Sequence, residues 1–203
     1  SQPAVTQAVG KLEQALAVRL FDRRPEGMYP TEVGELYLHR VTRALGYLKD
    51  GERQARKRAP KQGAQGRRDF HRLTTAVQLK ALTAVARTGN FSHAARLLGV
   101  SQPAVHRAAR DLERLSGMVF FEPVRRGVEL TPSAEVFAHH IRLAVSEIQQ
   151  GNFEVGEFLG RDSTRIPGPS GSASAGLSGV TIIVFLSSCP NRLAVLSRAT
   201  SVP

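Results

Sequence analysis

Apolar residues recur at helical spacing over the middle of the chain, and polar punctuation divides them into separate segments. From Thr75 to Arg87, Leu79, Leu82, Val85 and Ala86 share one helical face, and Thr88-Gly89-Asn90 predicts a stop. Ser92 offers an N-cap hydroxyl for a short helix carrying Ala94, Ala95, Leu97 and Leu98, with Gly99 closing it. Ser101 caps a third helix, in which Pro103 occupies the tolerant first turn and Val105, Ala109 and Leu112 face inward. Val119-Phe120-Phe121 and Val128-Glu129-Leu130 then flank Glu122 to Gly127, predicting a hairpin with Arg125 and Arg126 at its tip. Thr131-Pro132, followed by Glu135, opens a long helix running toward Phe158. Phe137, Ile141, Ala144 and Ile148 give it the 4-3-4 seam of a coiled coil. Such a seam calls for a partner, either a second chain or another helix of the same chain.

The pattern is duplicated. Ser1-Gln2-Pro3-Ala4-Val5 returns as Ser101-Gln102-Pro103-Ala104-Val105, and the match continues without a gap through Leu12-Glu13, Phe21, Gly27, Thr31, Glu35 and His39. Roughly a quarter of about fifty aligned positions are identical, as expected of an internal repeat. The seam recurs in phase as Tyr37, Val41, Ala44 and Leu48. The first repeat begins at the equivalent of Ser101, so the two helices that precede the third one in the second repeat are not expected in it. Between the repeats, Gly51 to Arg68 carries seven Lys and Arg residues among Gln and Gly, the composition of a solvated basic linker. The division that follows is an incomplete unit over 1–58, a basic linker over 59–70, a complete unit over 71–130, a dimerising helix over 131–160 and a low-complexity tail over 161–203.

Composition narrows the function. With 28 Lys and Arg against 17 Asp and Glu the net charge is +11, which points to a polyanionic partner, nucleic acid before an anionic membrane surface. One cysteine and no Cys/His cluster at ligand spacing leave neither a disulfide nor a zinc staple expected, and no metal or cofactor. No signal-like segment stands at the start, and the longest apolar run, Val180 to Leu186, is far short of the roughly 20 residues that span a bilayer. A cytoplasmic chain without a membrane partner is the expectation. His71, His93, His106, His139 and His140 form no catalytic or metal-binding constellation, so no enzyme and no catalytic residue is expected.

Phe91 to Arg110 reads as a helix-turn-helix, with Ala95 small where two helices cross, Gly99 in the turn and Val105 plugging the core. Val105, Ala109 and Leu112 facing inward turn Gln102, Pro103, His106, Arg107 and Arg110 outward along one side. Gln suits adenine's major-groove edge, Arg bridges guanine O6 and N7, and Pro103 or Ala104 packs on a thymine methyl. Ser92, His93 and Ser101 lie at helix N-termini suited to phosphate oxygens. Arg125 and Arg126 are placed to reach the flanking minor groove or backbone.

The stretch Phe91-Ser92-His93-Ala94-Ala95-Arg96-Leu97-Leu98-Gly99-Val100-Ser101-Gln102-Pro103-Ala104-Val105, with Arg126-Gly127-Val128-Glu129-Leu130-Thr131-Pro132 after it, resembles the LysR-type bacterial transcriptional regulators. The resemblance covers 71–160 well and 1–50 as a partial second unit, similar to a tandem-unit subgroup. It implies a mainly α fold, a winged helix-turn-helix with a long linker helix, a partial copy at the N-terminus and a disordered or irregular C-terminal tail. It also implies a sequence-specific regulator that binds double-stranded DNA as a homodimer or higher homo-oligomer, with Phe137, Ile141, Ala144 and Ile148 in the dimer seam.

Three departures stand out. His106 replaces the Ser or Thr usual in the middle of the family's reading helix. The first repeat has Thr6, Gln7 and Gly10 in place of His106, Arg107 and Arg110, so its corresponding face has little cationic reach. After Ile166, where the family's effector domain would start, Pro167 to Gly176 has linker composition. A truncation or shifted frame without an inducer site is the expectation there. The competing reading is an inert or dominant-negative fragment that only dimerises through its linker helix.

Overall fold

The computed structural model describes residues 2–25, 27–60 and 66–163. Among these, helix α1 (Gln2–Leu16), strands β1 (Phe21–Arg24) and β2 (Gly27–Pro30) and helix α2 (Glu32–Arg58) make up the first repeat. The second repeat comprises α3 (Ala76–Thr88), α4 (Phe91–Leu98), α5 (Gln102–Ser116), β3 (Phe121–Val124), β4 (Gly127–Leu130) and α6 (Pro132–Ser163). A 3-10 turn, Phe70–Arg72, precedes α3. The fold is mainly α, as expected, and each repeat holds one antiparallel two-stranded hairpin. The expected tail over 161–203 lies outside the described residues apart from the last turn of α6.

The chain divides into two compact units, one containing 1–44 with 146–163 and the other 45–145. Each long helix therefore gives one half to each unit. In the first unit, Tyr37 Oη donates to Asn152 Oδ1 at 3.0 Å, and Arg40 Nη1 to Glu147 Oε2 at 3.0 Å. A higher number on α2 meets a lower one on α6, so the two half-helices run antiparallel. The second unit pairs the other halves in the same sense. Gln54 Nε2 and His140 Nε2 are 3.1 Å apart, and Gly51 lies against Phe137 and His140.

Phe137, Ile141, Ala144 and Ile148 are fully buried within the single chain, as are Leu48 and Ala55 of α2. Of the two partners left open by the 4-3-4 seam, another helix of the same chain is the one observed. The basic segment Gly51 to Arg68 is only partly a linker. Through Arg58 it is helix, with Glu52 and Ala55 buried, because Glu52 finds partners in Arg56 and His71.

Both repeats brace the hairpin in the same way. Glu13 Oε1 accepts the backbone N–H groups of Leu20 and Phe21 at 2.8 and 3.0 Å. Glu113 Oε1 accepts those of Phe120 and Phe121 at 2.8 and 3.1 Å. Thr31 and Thr131 each donate a hydroxyl to the carbonyl twelve residues back and accept the N–H three residues ahead, which ties strand exit to helix start. The repeats differ where α5 ends on Gly117 at φ +67°, whereas its counterpart Ala17 takes φ +53° with a Cβ to accommodate.

Candidate nucleic-acid interface

Helix α5 is set by its caps and its core. Ser101 Oγ accepts Ala104 N–H at 3.4 Å, Pro103 sits in the first turn, and Val105, Ala108, Ala109, Leu112 and Ser116 are buried. That leaves Ser101, Gln102, Pro103, Ala104, His106, Arg107 and Arg110 exposed on α5. The helix ahead of it starts differently from the expectation. Asn90, not Ser92, is the N-cap of α4, its Oδ1 accepting Ser92 N–H at 2.8 Å and His93 N–H at 3.2 Å. Phe91 is drawn inward against Phe121, ring centroids 5.5 Å apart, so the helix begins one residue before the serine.

Ser92 is thereby released for another task, donating its hydroxyl to Gln102 Oε1 at 2.9 Å. The contact orients the Gln102 amide and links the start of α4 to the start of α5. His106 rests on Phe91, with ring centroids 4.9 Å apart. Arg110 donates to Glu113 Oε2 at 2.9 Å, the carboxylate that also holds the hairpin. Among the described residues Arg107 has no ion pair, so its guanidinium is available to an incoming acceptor.

The wing is a two-residue hairpin. Val124 pairs with Gly127, leaving Arg125 and Arg126 exposed at the tip. Next to the tip the hairpin is pressed against the turn between α3 and α4, where Val128 N–H donates to Gly89 O at 3.0 Å. Gly127 has φ +136°, and a side chain there would overlap Gly89 O, so glycine is required on both counts.

Asn90, Phe91 and Glu113 are the positioning residues that reading the sequence missed. The conserved offset of Glu13 and Glu113 across the repeat was the available signal for the last. The candidate residues on α4 and α5 and those at the wing tip all belong to the same unit. Among the described residues no group of three or more His, Cys, Asp or Glu side chains could hold a metal ion, and no helix is long and apolar enough to cross a membrane.

One family match falls on the same segments. Residues 1–35 and 77–135 match the family described as bacterial regulatory helix-turn-helix protein, lysR family. The chain is 32% identical over 149 residues to the HTH-type transcriptional regulator GalR of Pseudomonas putida, covering 73% of this chain and 36% of that protein. It is 44% identical over 75 residues to the regulator ClcR of Pseudomonas putida, covering 36% of this chain and 26% of that one. With the regulator AlsR of Bacillus subtilis the identity is 37% over 73 residues, covering 36% and 24%. The chain thus spans about a third or less of the length of these relatives. No solved structure matches it significantly.

Proposed function

Because the chain belongs to the LysR-type regulators through its helix-turn-helix region, we propose that it regulates transcription by reading double-stranded DNA with α5 in a major groove. The observation that carries this reading is the exposed row Gln102, His106, Arg107 and Arg110 on a helix whose opposite face is locked into the core. Arg107 is the base-reading cation, since its guanidinium suits guanine O6 and N7 and it has no ion pair to give up among the described residues. Arg110, shared with Glu113, serves the phosphate backbone or a neighbouring base. The exposed His93 side chain at the start of α4 and the Ser101 hydroxyl at the start of α5 suit phosphate oxygens, and Arg125 and Arg126 extend the contact at the wing. The net charge of +11 supplies salt-sensitive attraction to any duplex and by itself no preference.

The test follows from that distinction. Duplexes selected from a random pool by the full chain are compared with random duplex as ligands for the parent and for Arg107→Ala. Loss of one bidentate base contact is expected to weaken the selected site by about 1–3 kcal/mol and to relax base choice at one position. Random-duplex binding falls much less. An unchanged ratio of selected to random affinity in the variant removes Arg107 from the reader, and the absence of any selected motif favours the inert fragment.

A further inference from the structure

The polar contacts along the two long helices are not the same on both sides of the repeat, and the difference bears on what α6 will accept as a partner. In the first unit Arg40 is bound to Glu147 and Glu154, Arg43 Nη2 lies 2.8 Å from Glu147 Oε1, and the buried Tyr37 hydroxyl reaches Asn152. In the second, Glu52 Oε2 accepts His71 Nδ1–H at 2.6 Å and His71 backbone N–H at 3.0 Å, and Glu52 Oε1 accepts Arg56 Nε–H at 3.0 Å. The Arg56 guanidinium lies over the Phe70 ring, 5.4 Å from its centroid.

The close approaches of the backbones, by contrast, do repeat. A Cβ on Gly51 would lie 2.6 Å from His140 Cβ and 3.2 Å from the Phe137 ring. One on Gly151 would lie 3.2 Å from the Tyr37 ring and 3.3 Å from Arg40 Cβ. Positions 51 against 137 and 140, and 151 against 37 and 40, are the same contact displaced by one repeat. The geometry is therefore what two like helices form, while the side chains are unlike.

Pairing of two α6 helices from separate chains in this register forfeits those side-chain contacts. His140 replaces Arg40 opposite Glu147 and Glu154, Leu143 replaces Arg43, and Phe137 replaces Tyr37 opposite Asn152. Beside His71 and Phe70, Asn152 replaces Glu52 and Gly156 replaces Arg56. Two α2 helices fare no better, since Arg40 then faces Tyr47 and Gln54 in place of carboxylates. Discrimination of this kind, attractive pairs lost wherever like helices meet, is how charged flanks select coiled-coil partners. Tethering the two helices in one chain adds a high effective concentration to the preferred pairing.

We infer that the first repeat is a resident partner without a cationic reading face: α2 occupies the seat on α6 that a second chain would need, so each chain binds a single half-site as a monomer through the cations of α5. The inference rests on the DNA-reading role of α5 proposed above. The first repeat contributes Thr6, Gln7 and Gly10 where α5 has His106, Arg107 and Arg110, so it fills the seat without adding a second cationic reading face.

Two cysteine pairs in a Cys189→Ala background test it, Gln54→Cys with His140→Cys in one unit and Arg43→Cys with Glu147→Cys in the other. Each full-length variant is treated with a short bismaleimide and run on denaturing gels. The second pair provides the answer if the first perturbs folding. The expected product is an internally linked single chain, and a covalent dimer overturns the inference. Light scattering of the parent bound to a selected duplex is expected to give one chain of 22.0 kDa per duplex, on a motif without two-fold symmetry. Two chains on a two-fold motif overturn the resident-partner inference and leave the reading role of α5 intact. Failure to select any motif overturns both.

Discussion

Replacing Phe137 by alanine is expected to cost about 3–5 kcal/mol of stability, the range for emptying a fully buried aromatic site. Phe137 has no exposed surface. Its ring meets Phe70 edge-on with centroids 5.0 Å apart and lies at 27° to the Phe120 ring with centroids 6.1 Å apart, and its edge faces Gly51, where a Cβ would lie 3.2 Å from it. One side chain thus joins the 3-10 turn, the start of the wing, α2 and α6, and aromatic pairs of this kind add to the burial they bring. Truncation leaves a cavity that four separate elements must shrink together to fill. Phe153 on the same helix is 62% exposed, and Phe153→Ala is expected to stay within about 0.5 kcal/mol of the parent. Urea unfolding of both variants, followed by circular dichroism, measures the contrast. Equal midpoints for the two would contradict the role of Phe137 as the hub of these contacts.

The second large effect is expected at Glu52, and it comes with a pH signature. Burial opposes ionisation of this carboxyl, but hydrogen bonds from the His71 ring, the His71 backbone N–H and Arg56 outweigh it and hold the pKa down to about 2 from an ordinary 4.5. Between those values the unfolded chain binds the proton that the folded one refuses. The stabilisation is therefore complete above about pH 4.5 and is lost as the pH falls toward 2. At about 1.4 kcal/mol per unit this amounts to about 3 kcal/mol over that window. Glu52→Gln keeps an acceptor for the His71 N–H but no charge, so its stability is expected to vary less with pH there. Glu52→Ala, which leaves His71 and Arg56 without their buried partner, is expected to lose about 3–5 kcal/mol at neutral pH. Denaturant midpoints measured from pH 7 to pH 3 check both. A Glu52→Gln variant with the parent's full acid sensitivity would place the source of that sensitivity elsewhere.

These two sites show where the sequence stops being informative. The helix-turn-helix was legible because its signals are local: Ser101 three residues before Ala104, Pro103 in a first turn, Gly99 closing one helix, and an apolar face through Val105, Ala109 and Leu112. The wing was legible because Gly127 marks the return of a hairpin. Asn90 was misplaced because two polar residues two apart can both cap a helix, and only the inward pull of Phe91 on Phe121 decides between them. The Arg-rich end of α2 read as linker because its charges look solvated one by one. The partner that makes Glu52 buried, His71, lies nineteen residues away behind a segment without periodicity. The 4-3-4 seam identified which residues are covered and left open what covers them, since apolar spacing carries no address. The address is written in unlike polar pairs, Arg40 with Glu147 and Glu154, which emerge only when two distant helices are laid side by side.

Major-groove reading by α5 has its sharpest test in base modification. A duplex selected by the full chain is methylated at guanine N7, which blocks the acceptor that an arginine would use without touching the minor groove. Binding of the parent is expected to fall at one guanine of the site, and Arg107→Ala, already weaker, is expected to be indifferent to the same methyl group. Parent binding that ignores N7 methylation throughout the site, or an Arg107→Ala variant as sensitive to it as the parent, would contradict the assignment of α5 as the reader.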